Sequence, residues 1–86
     1  MKTMTSEEVK QKAQNVVLTI LPDVGSKDLS DDRDIFSLGL DSINAMSLIF
    51  SLQDAFGVNF ETSEISFENF RTIADIVALI KRKKGV

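Results

Sequence analysis

The sequence predicts an all-α fold, a small bundle of three to four helices with a long first loop. Three observations predict it. Apolar residues recur at helical spacing in three separate stretches. Two of those stretches open with a hydroxyl followed three residues later by a carboxylate, the pattern of a capping box. No internal repeat, low-complexity tract or linker divides the 86 residues, so residues 1–86 are expected to form a single domain with its core at about 6–83.

The first helix is expected from about Ser6 to Leu21. Thr5 and Glu8 make its capping box, and Val9, Ala13, Val16, Val17 and Ile20 recur along one face. Pro22 stands where a helix would already have ended. Residues 23 to 40 read as a long connection rich in Asp, Ser and Gly, carrying one apolar cluster, Ile35-Phe36-Ser37-Leu38. That cluster should pin the loop to the core, with Phe36 as a buried anchor, and Gly39 then allows a sharp backbone turn.

A second helix is expected from about Ser42 to Phe56, with Asp41 and Ser42 both suited to its N-cap and Gly57 to its C-terminal cap. Its apolar residues cover more than one face, so it is either central in the bundle or partly exposed for a partner. Val58 and Phe60 alternate with Asn59 and should cross the core in extended form, and a short helical turn is expected near Ser63–Phe67. Thr72 and Asp75 open the last helix, whose apolar stripe is Ile73, Ile76, Val77 and Ile80.

Composition removes several classes of function. There is no cysteine and no histidine, which excludes a disulfide framework and Ser-His or Cys-His catalysis within the chain, and leaves almost no route to a zinc or transition-metal site. Apolar residues make up 43% and charged residues 27%, the profile of a folded soluble protein. No apolar run reaches the length of a membrane span, and residues 1–10 lack the apolar core of a signal peptide, so a cytoplasmic monomer with no membrane partner is expected. The net charge of −3 is unevenly spread: from Asp23 to Glu68 ten acids face two bases, Lys27 and Arg33. Such an acidic middle repels nucleic acid and favours partners with a basic face. The basic run Lys81-Arg82-Lys83-Lys84 is best read as cations complementing the dipole of the last helix.

The informative stretch is Gly39-Leu40-Asp41-Ser42-Ile43. A serine held at the start of a helix, after a glycine turn, meets free backbone N–H groups and the positive end of the helix dipole, so a phosphate ester on its hydroxyl would be well accommodated. Nothing nearby could activate Ser42 as a nucleophile, so chemistry on it belongs to another enzyme. A serine or aspartate at a helix start is ordinarily a plain cap, and both Asp41 and Ser42 could serve so.

These residues resemble the acyl carrier protein family, including its peptidyl and D-alanyl carrier relatives. The likeness rests on Asp34-Ile35-Phe36, on Leu38-Gly39-Leu40-Asp41-Ser42-Ile43, on Ala55-Phe56-Gly57-Val58 and on Phe70-Arg71-Thr72-Ile73. It runs from about Val9 to Ile80. It implies a bundle of the acyl-carrier type and a 4'-phosphopantetheine arm on Ser42, with Gly39 and Asp41 beside it. A phosphopantetheinyl transferase would move the arm from coenzyme A, and acyl-loading and acyl-transferring enzymes would then use it. Such a protein is a carrier and not itself an enzyme. Asp41 would accompany the serine at the transferase interface, and Leu40, Ile43, Asn44, Met46 and Ser47 would face partners. The initiator Met1 and short termini fit a stand-alone carrier.

One departure bears on the pathway. Carriers of fatty acid synthesis usually show acids along the helix after the serine, whereas here its polar positions are Asn44, Ser47, Ser51 and Gln53, with only Asp54 acidic. A specialised lipid, polyketide-like or aminoacyl pathway is therefore expected. The alternatives are an aminoacyl or peptidyl carrier, or an unmodified carrier-like interaction module.

Overall fold

The computed structural model describes residues 5–85, so both ends of the expected domain, residues 1–4 and 86, lie outside the described residues. Four α-helices follow one another: α1 (Ser6–Ile20), α2 (Ser42–Phe56), the one-turn α3 (Phe67–Phe70) and α4 (Ile73–Lys84). Short 3-10 turns occupy Ser26–Asp28, Ile35–Leu38 and Thr62–Glu64, and no strand occurs among the described residues. The expected all-α bundle is what forms.

Helix ends fall where the side chains place them. The Glu8 N–H donates to Thr5 Oγ1 at 3.1 Å and the Thr5 N–H to Glu8 Oε1 at 2.8 Å, completing the first capping box. At α4 the Asp75 N–H donates to Thr72 Oγ1 at 3.1 Å, while the Thr72 hydroxyl donates to Asp75 Oδ2 at 2.8 Å. Gly57 closes α2 at φ 64°, a left-handed conformation that glycine adopts without steric cost.

α1 packs against both α2 and α4, and α3 against α4. The shared core takes Val9, Ala13 and Val17 from α1, Leu48, Leu52 and Phe56 from α2, and Ile73, Ile76, Leu79 and Ile80 from α4. Phe60, in the extended stretch after α2, is buried with its ring edge-on to Phe70 at 5.3 Å, while Val58 lies at the margin. The single turn expected near Ser63–Phe67 is two turns, broken at Ile65 and the extended Ser66, with the Glu64 carbonyl taken by the Asn69 side chain at 2.9 Å.

The long connection departs from expectation in one residue. Its anchor is Ile35, at 0% exposure, and not Phe36, which is only half-buried and stacks on Phe67 with centroids 4.7 Å apart. In a 3-10 turn residues three apart share a face. Ile35 and Leu38 therefore share a face, Ile35 in the core and Leu38 partly buried against it, while Phe36 lies off that face and is also only partly buried. Leu29 and Leu40 are buried beside Ile35. The backbone is fixed at the same place: the Ile35 N–H donates to the Arg71 carbonyl at 2.8 Å, and the Asp31 carbonyl accepts from the Ala74 N–H at 3.0 Å. The second bond satisfies an amide in the first turn of α4 that has no partner within its own helix.

The basic run at the end of α4 does more than complement a dipole. Lys84 Nζ donates to the Phe56 carbonyl at the end of α2 (2.9 Å), Lys83 pairs with Glu64 at 2.8 Å, and Lys81 donates to Ser6 Oγ at 2.8 Å. The Lys83 bond, followed by the Glu61 N–H, holds the Glu64 carboxyl below its ordinary value of 4.5. The bond to Asp31, then its charge, raises Lys10 above 10.5. The lowered carboxyl stabilises the fold above 4.5 and loses that effect as pH falls through its depressed value. The raised amine stabilises it below 10.5 and loses that effect as pH rises through its elevated value. Both ties are thus at full strength across the neutral range.

Ile35→Ala is expected to lower the unfolding free energy by about 2–5 kcal/mol, the usual cost of emptying a fully buried aliphatic site. Phe36→Ala should cost less, because much of its ring already meets water. Urea unfolding followed by circular dichroism ranks the two, and a Phe36 variant less stable than the Ile35 variant would show that the ring is the anchor after all.

Candidate functional site

The 3-10 turn ending at Leu38 delivers the chain to Gly39, which stands at φ 112° and ψ 6° as the turn's cap. L-residues with a Cβ rarely adopt that conformation, so glycine is needed for the reversal. Leu40 follows at 4% exposure. Expected to face a partner, its side chain instead packs in the core and fixes where the next residues emerge.

Asp41 is the N-cap of α2: its Oδ1 accepts from the Asn44 N–H at 2.8 Å, and its carbonyl accepts from the Ala45 N–H at 2.8 Å. Ser42 is therefore the first residue of the helix proper and is relieved of capping. It is exposed, and among the described residues nothing bonds its hydroxyl. Of the two residues suited to capping, Asp41 takes that role and leaves the Ser42 oxygen free. The N–H groups of Ser42 and Ile43 lie in the first turn and have no intrahelical acceptor. A phosphate ester on the hydroxyl would meet these amides and the positive end of the helix, so the residues present fit such a group.

The other expected residues separate by face. Ile43 is 77% exposed, Met46 and Ser47 are also exposed, and Asn44 is half-buried in a recess beside Leu38 and Gly39. Phe50 is 58% exposed, whereas Ile49 and Leu52 are buried. Ile43, Met46 and Phe50 thus form an exposed stripe at spacings of three and four along α2. The signal was the excess of apolar residues beyond the one face a core can take.

Ser42 also stands at the rim of a groove of about 270 Å³. Phe36 of the loop forms one wall, Ala45, Met46 and Ile49 of α2 a second, and Ile65, Phe67 and Phe70 a third. Ser42 and Ser66 are its only polar lining residues, and no charged residue lines it.

The acids of the loop are mostly engaged. Asp31 pairs with Lys10 at 2.9 Å. Asp34 caps the Ile35–Leu38 turn through the Phe36 N–H at 2.9 Å and lies 3.7 Å from Arg71. Asp28 accepts from the Gly25 N–H and Asp32 from the Ser30 hydroxyl. No helix of the described residues is long and apolar enough to cross a membrane.

If Asp41 is the cap, Asp41→Ala should cost about 1 kcal/mol of stability, and Asp41→Asn, whose side chain caps equally well, a few tenths at most. Urea midpoints of both variants check this, and equal losses would mean that the carboxylate charge matters and the cap does not.

Residues 11–80 match the family model described as a phosphopantetheine attachment site. An acyl carrier protein of Prochlorococcus marinus (strain MIT 9515) is 32% identical over 82 residues, covering 95% of this chain and all of the relative. An acyl carrier protein of Borreliella burgdorferi (strain ZS7) is 27% identical over the same shares. A D-alanyl carrier protein of Lactobacillus acidophilus is 40% identical over 68 residues, covering 76% of this chain and 86% of the relative. The chain belongs to the acyl carrier protein family, whose members are carriers, not enzymes, and bear a covalently attached 4'-phosphopantetheine.

Proposed function

We propose, from this membership, that Ser42 bears the arm and that the single domain of about residues 6–83 presents it to partner enzymes. The observation that carries the reading is the exposed, unbonded Ser42 hydroxyl at the first residue of α2, with capping left to Asp41. A phosphopantetheinyl transferase would form the bond from Ser42 Oγ to phosphorus as the bond to the adenosine 3',5'-diphosphate portion of coenzyme A breaks. The hydroxyl proton would pass to the transferase, since this chain has no histidine or cysteine to take it. Once bound, the arm supplies a thiol that holds an acyl or aminoacyl group as a thioester. The protein's own part is to hold the attachment serine at a fixed, outward helix terminus.

Incubation with coenzyme A, magnesium and a broad-specificity transferase should add one arm per chain, and Ser42→Ala should stay at the unmodified mass. Modification of Ser37 or Ser47, or none where an established carrier reacts, would leave the unmodified interaction module as the better reading.

The surface of α2 supports a reading of the pathway. Its exposed residues after Ser42 are Ile43, Met46, Ser47, Phe50 and Asp54, the last its only acid. Charged recognition raises association rates and weakens with salt, whereas apolar contact does not depend on salt in that way. The stripe therefore suits partners that dock through apolar contact, in a specialised lipid or polyketide-like pathway of the cytoplasm and not in housekeeping fatty acid synthesis. With Asp31 and Asp34 engaged by Lys10 and Arg71, the loop acids contribute less to recognition than their number suggests. The likeness to a D-alanyl carrier protein makes an aminoacyl cargo the second reading.

The armed protein should accept malonyl groups poorly from a fatty-acid-type malonyl transferase, and Asn44→Glu/Ser47→Glu should improve acceptance by supplying the missing charge. Transfer rates to the parent, the double variant and an established fatty acid carrier check this. A parent that matches the established carrier removes the case for a specialised role.

A further inference from the structure

A separate recess of about 240 Å³ lies between the end of α1, the residues that follow it and the turn at Gly39. Its chemistry is mixed. Ile20, Val24 and Leu38 form the apolar part, and each is only partly buried, so each gains if an apolar group covers it. Asn44 and Asp23 form the polar part. Asn44 is half-buried, and its backbone N–H is the group that Asp41 caps, so capping makes no use of the side chain. Among the described residues neither the Asn44 side-chain amide nor the Asp23 carboxylate has a hydrogen-bonding or ionic partner. The amide therefore has its donors and its acceptor to spare, in a site that already shields it in part from water.

We propose that this recess seats the segment of the protein's own arm that follows the phosphate, with Asn44 as its hydrogen-bonding partner. The proposal rests on attachment at Ser42 and goes beyond that reading. Proximity names the occupant: Gly39 stands just before Ser42 and Asn44 just after it, and both line the recess. The chemistry agrees group by group. Beyond its phosphate the arm carries a carbon with paired methyls, then a hydroxyl, then an amide. The methyls suit Ile20, Val24 and Leu38. The amide suits Asn44, which donates and accepts, and the hydroxyl proton suits Asp23, which only accepts. Size agrees as well. A space of about 240 Å³ holds on the order of eight water-sized groups at about 30 Å³ each, close to the bulk of that segment. The larger groove that Ser42 borders is the poorer seat for this segment. Ser66 is its only polar lining residue besides Ser42, so the arm's amide would give up water there with little in return.

The test uses the full chain with and without the arm, with loading confirmed by mass, and reads the arm by NMR. In the loaded parent, nuclear Overhauser contacts should run from the arm's paired methyls to the methyls of Val24 and Leu38. The side-chain NH2 resonances of Asn44 should shift between the unloaded and loaded chains. Asn44→Leu keeps the size of the side chain and removes its hydrogen bonds. It should lose most of the contacts to Val24 and Leu38, while the unloaded spectra of parent and variant differ only near residue 44. Contacts from the arm methyls to Met46 and Ile49 instead, no contact with the protein beyond Ser42, an unmoved Asn44 side chain, or contacts that largely survive Asn44→Leu would overturn the proposal. The parent spectra alone decide it if the variant folds or loads poorly. A chain that gains no arm sinks the attachment reading as well, and the mass separates that outcome from the others.

Discussion

Two backbone hydrogen bonds hold the connection between α1 and α2 against the start of α4, from Ile35 to Arg71 and from Ala74 to Asp31, and the placing of Ser42 depends on them. The connection runs for some twenty residues with only two short 3-10 turns of its own. A segment of that kind loses much conformational freedom on ordering and has little internal bonding to offset it. Burial of Leu29, Ile35 and Leu40 supplies the driving force, and the two backbone bonds supply the register. With Ile35 fixed, Leu38 follows three residues on, Gly39 reverses the chain, and α2 begins at a defined point on the surface. A loop free to slide by one residue would carry the helix start, and with it Ser42, to a different exposure.

Charge in this chain is mostly turned inward on the fold's own joints. Most acids of the connection cap its turns, bond its hydroxyls or pair with Lys10 and Arg71, and three of the four bases in the last turn of α4 bind Ser6, Glu64 and the Phe56 carbonyl. Each of these contacts is partly or wholly exposed, and such pairs contribute little singly. Their positions matter more than their energies, since they tie the end of α4 to the starts and ends of its neighbours. The same allocation leaves α2 with one exposed acid, Asp54, far from its start, so its outward surface beside Ser42 is uncharged.

Much of this was legible in the sequence because the signals were local. The Thr5–Glu8 and Thr72–Asp75 pairs, Gly57 and the Asp41-Ser42 step each set a helix end through residues within four positions of one another. Which member of Ile35-Phe36 anchors the loop was not legible, because that depends on the 3-10 geometry, and size alone points to the wrong residue. Leu40 was likewise assigned outward by its nearness to Ser42, although the backbone turn at Gly39 sends it inward. The outward position of Phe50 could not be separated from core by spacing: α2 has more apolar positions than one buried face can hold, and only the packing of α1 and α4 decides which are covered. The groove walls from Phe36 and Ile65 to Phe70 are wholly tertiary and left no mark on the sequence pattern.

The step from Asp41 to Ser42 brings these constraints to one point. A helix start offers several unpaired amides, and a lone serine at the cap position would bond one of them with its own hydroxyl. That bond would compete with any group attached to the oxygen. Placing aspartate at the cap and serine immediately after it divides the two tasks. The aspartate satisfies the Asn44 amide, and the Ser42 and Ile43 amides are left without an acceptor in the helix. The arrangement fixes the backbone without engaging the hydroxyl. On the side away from Asp41 the same serine borders an uncharged groove. A polar hydroxyl and an apolar groove therefore meet at one residue, set by a glycine turn on one side and a helix on the other.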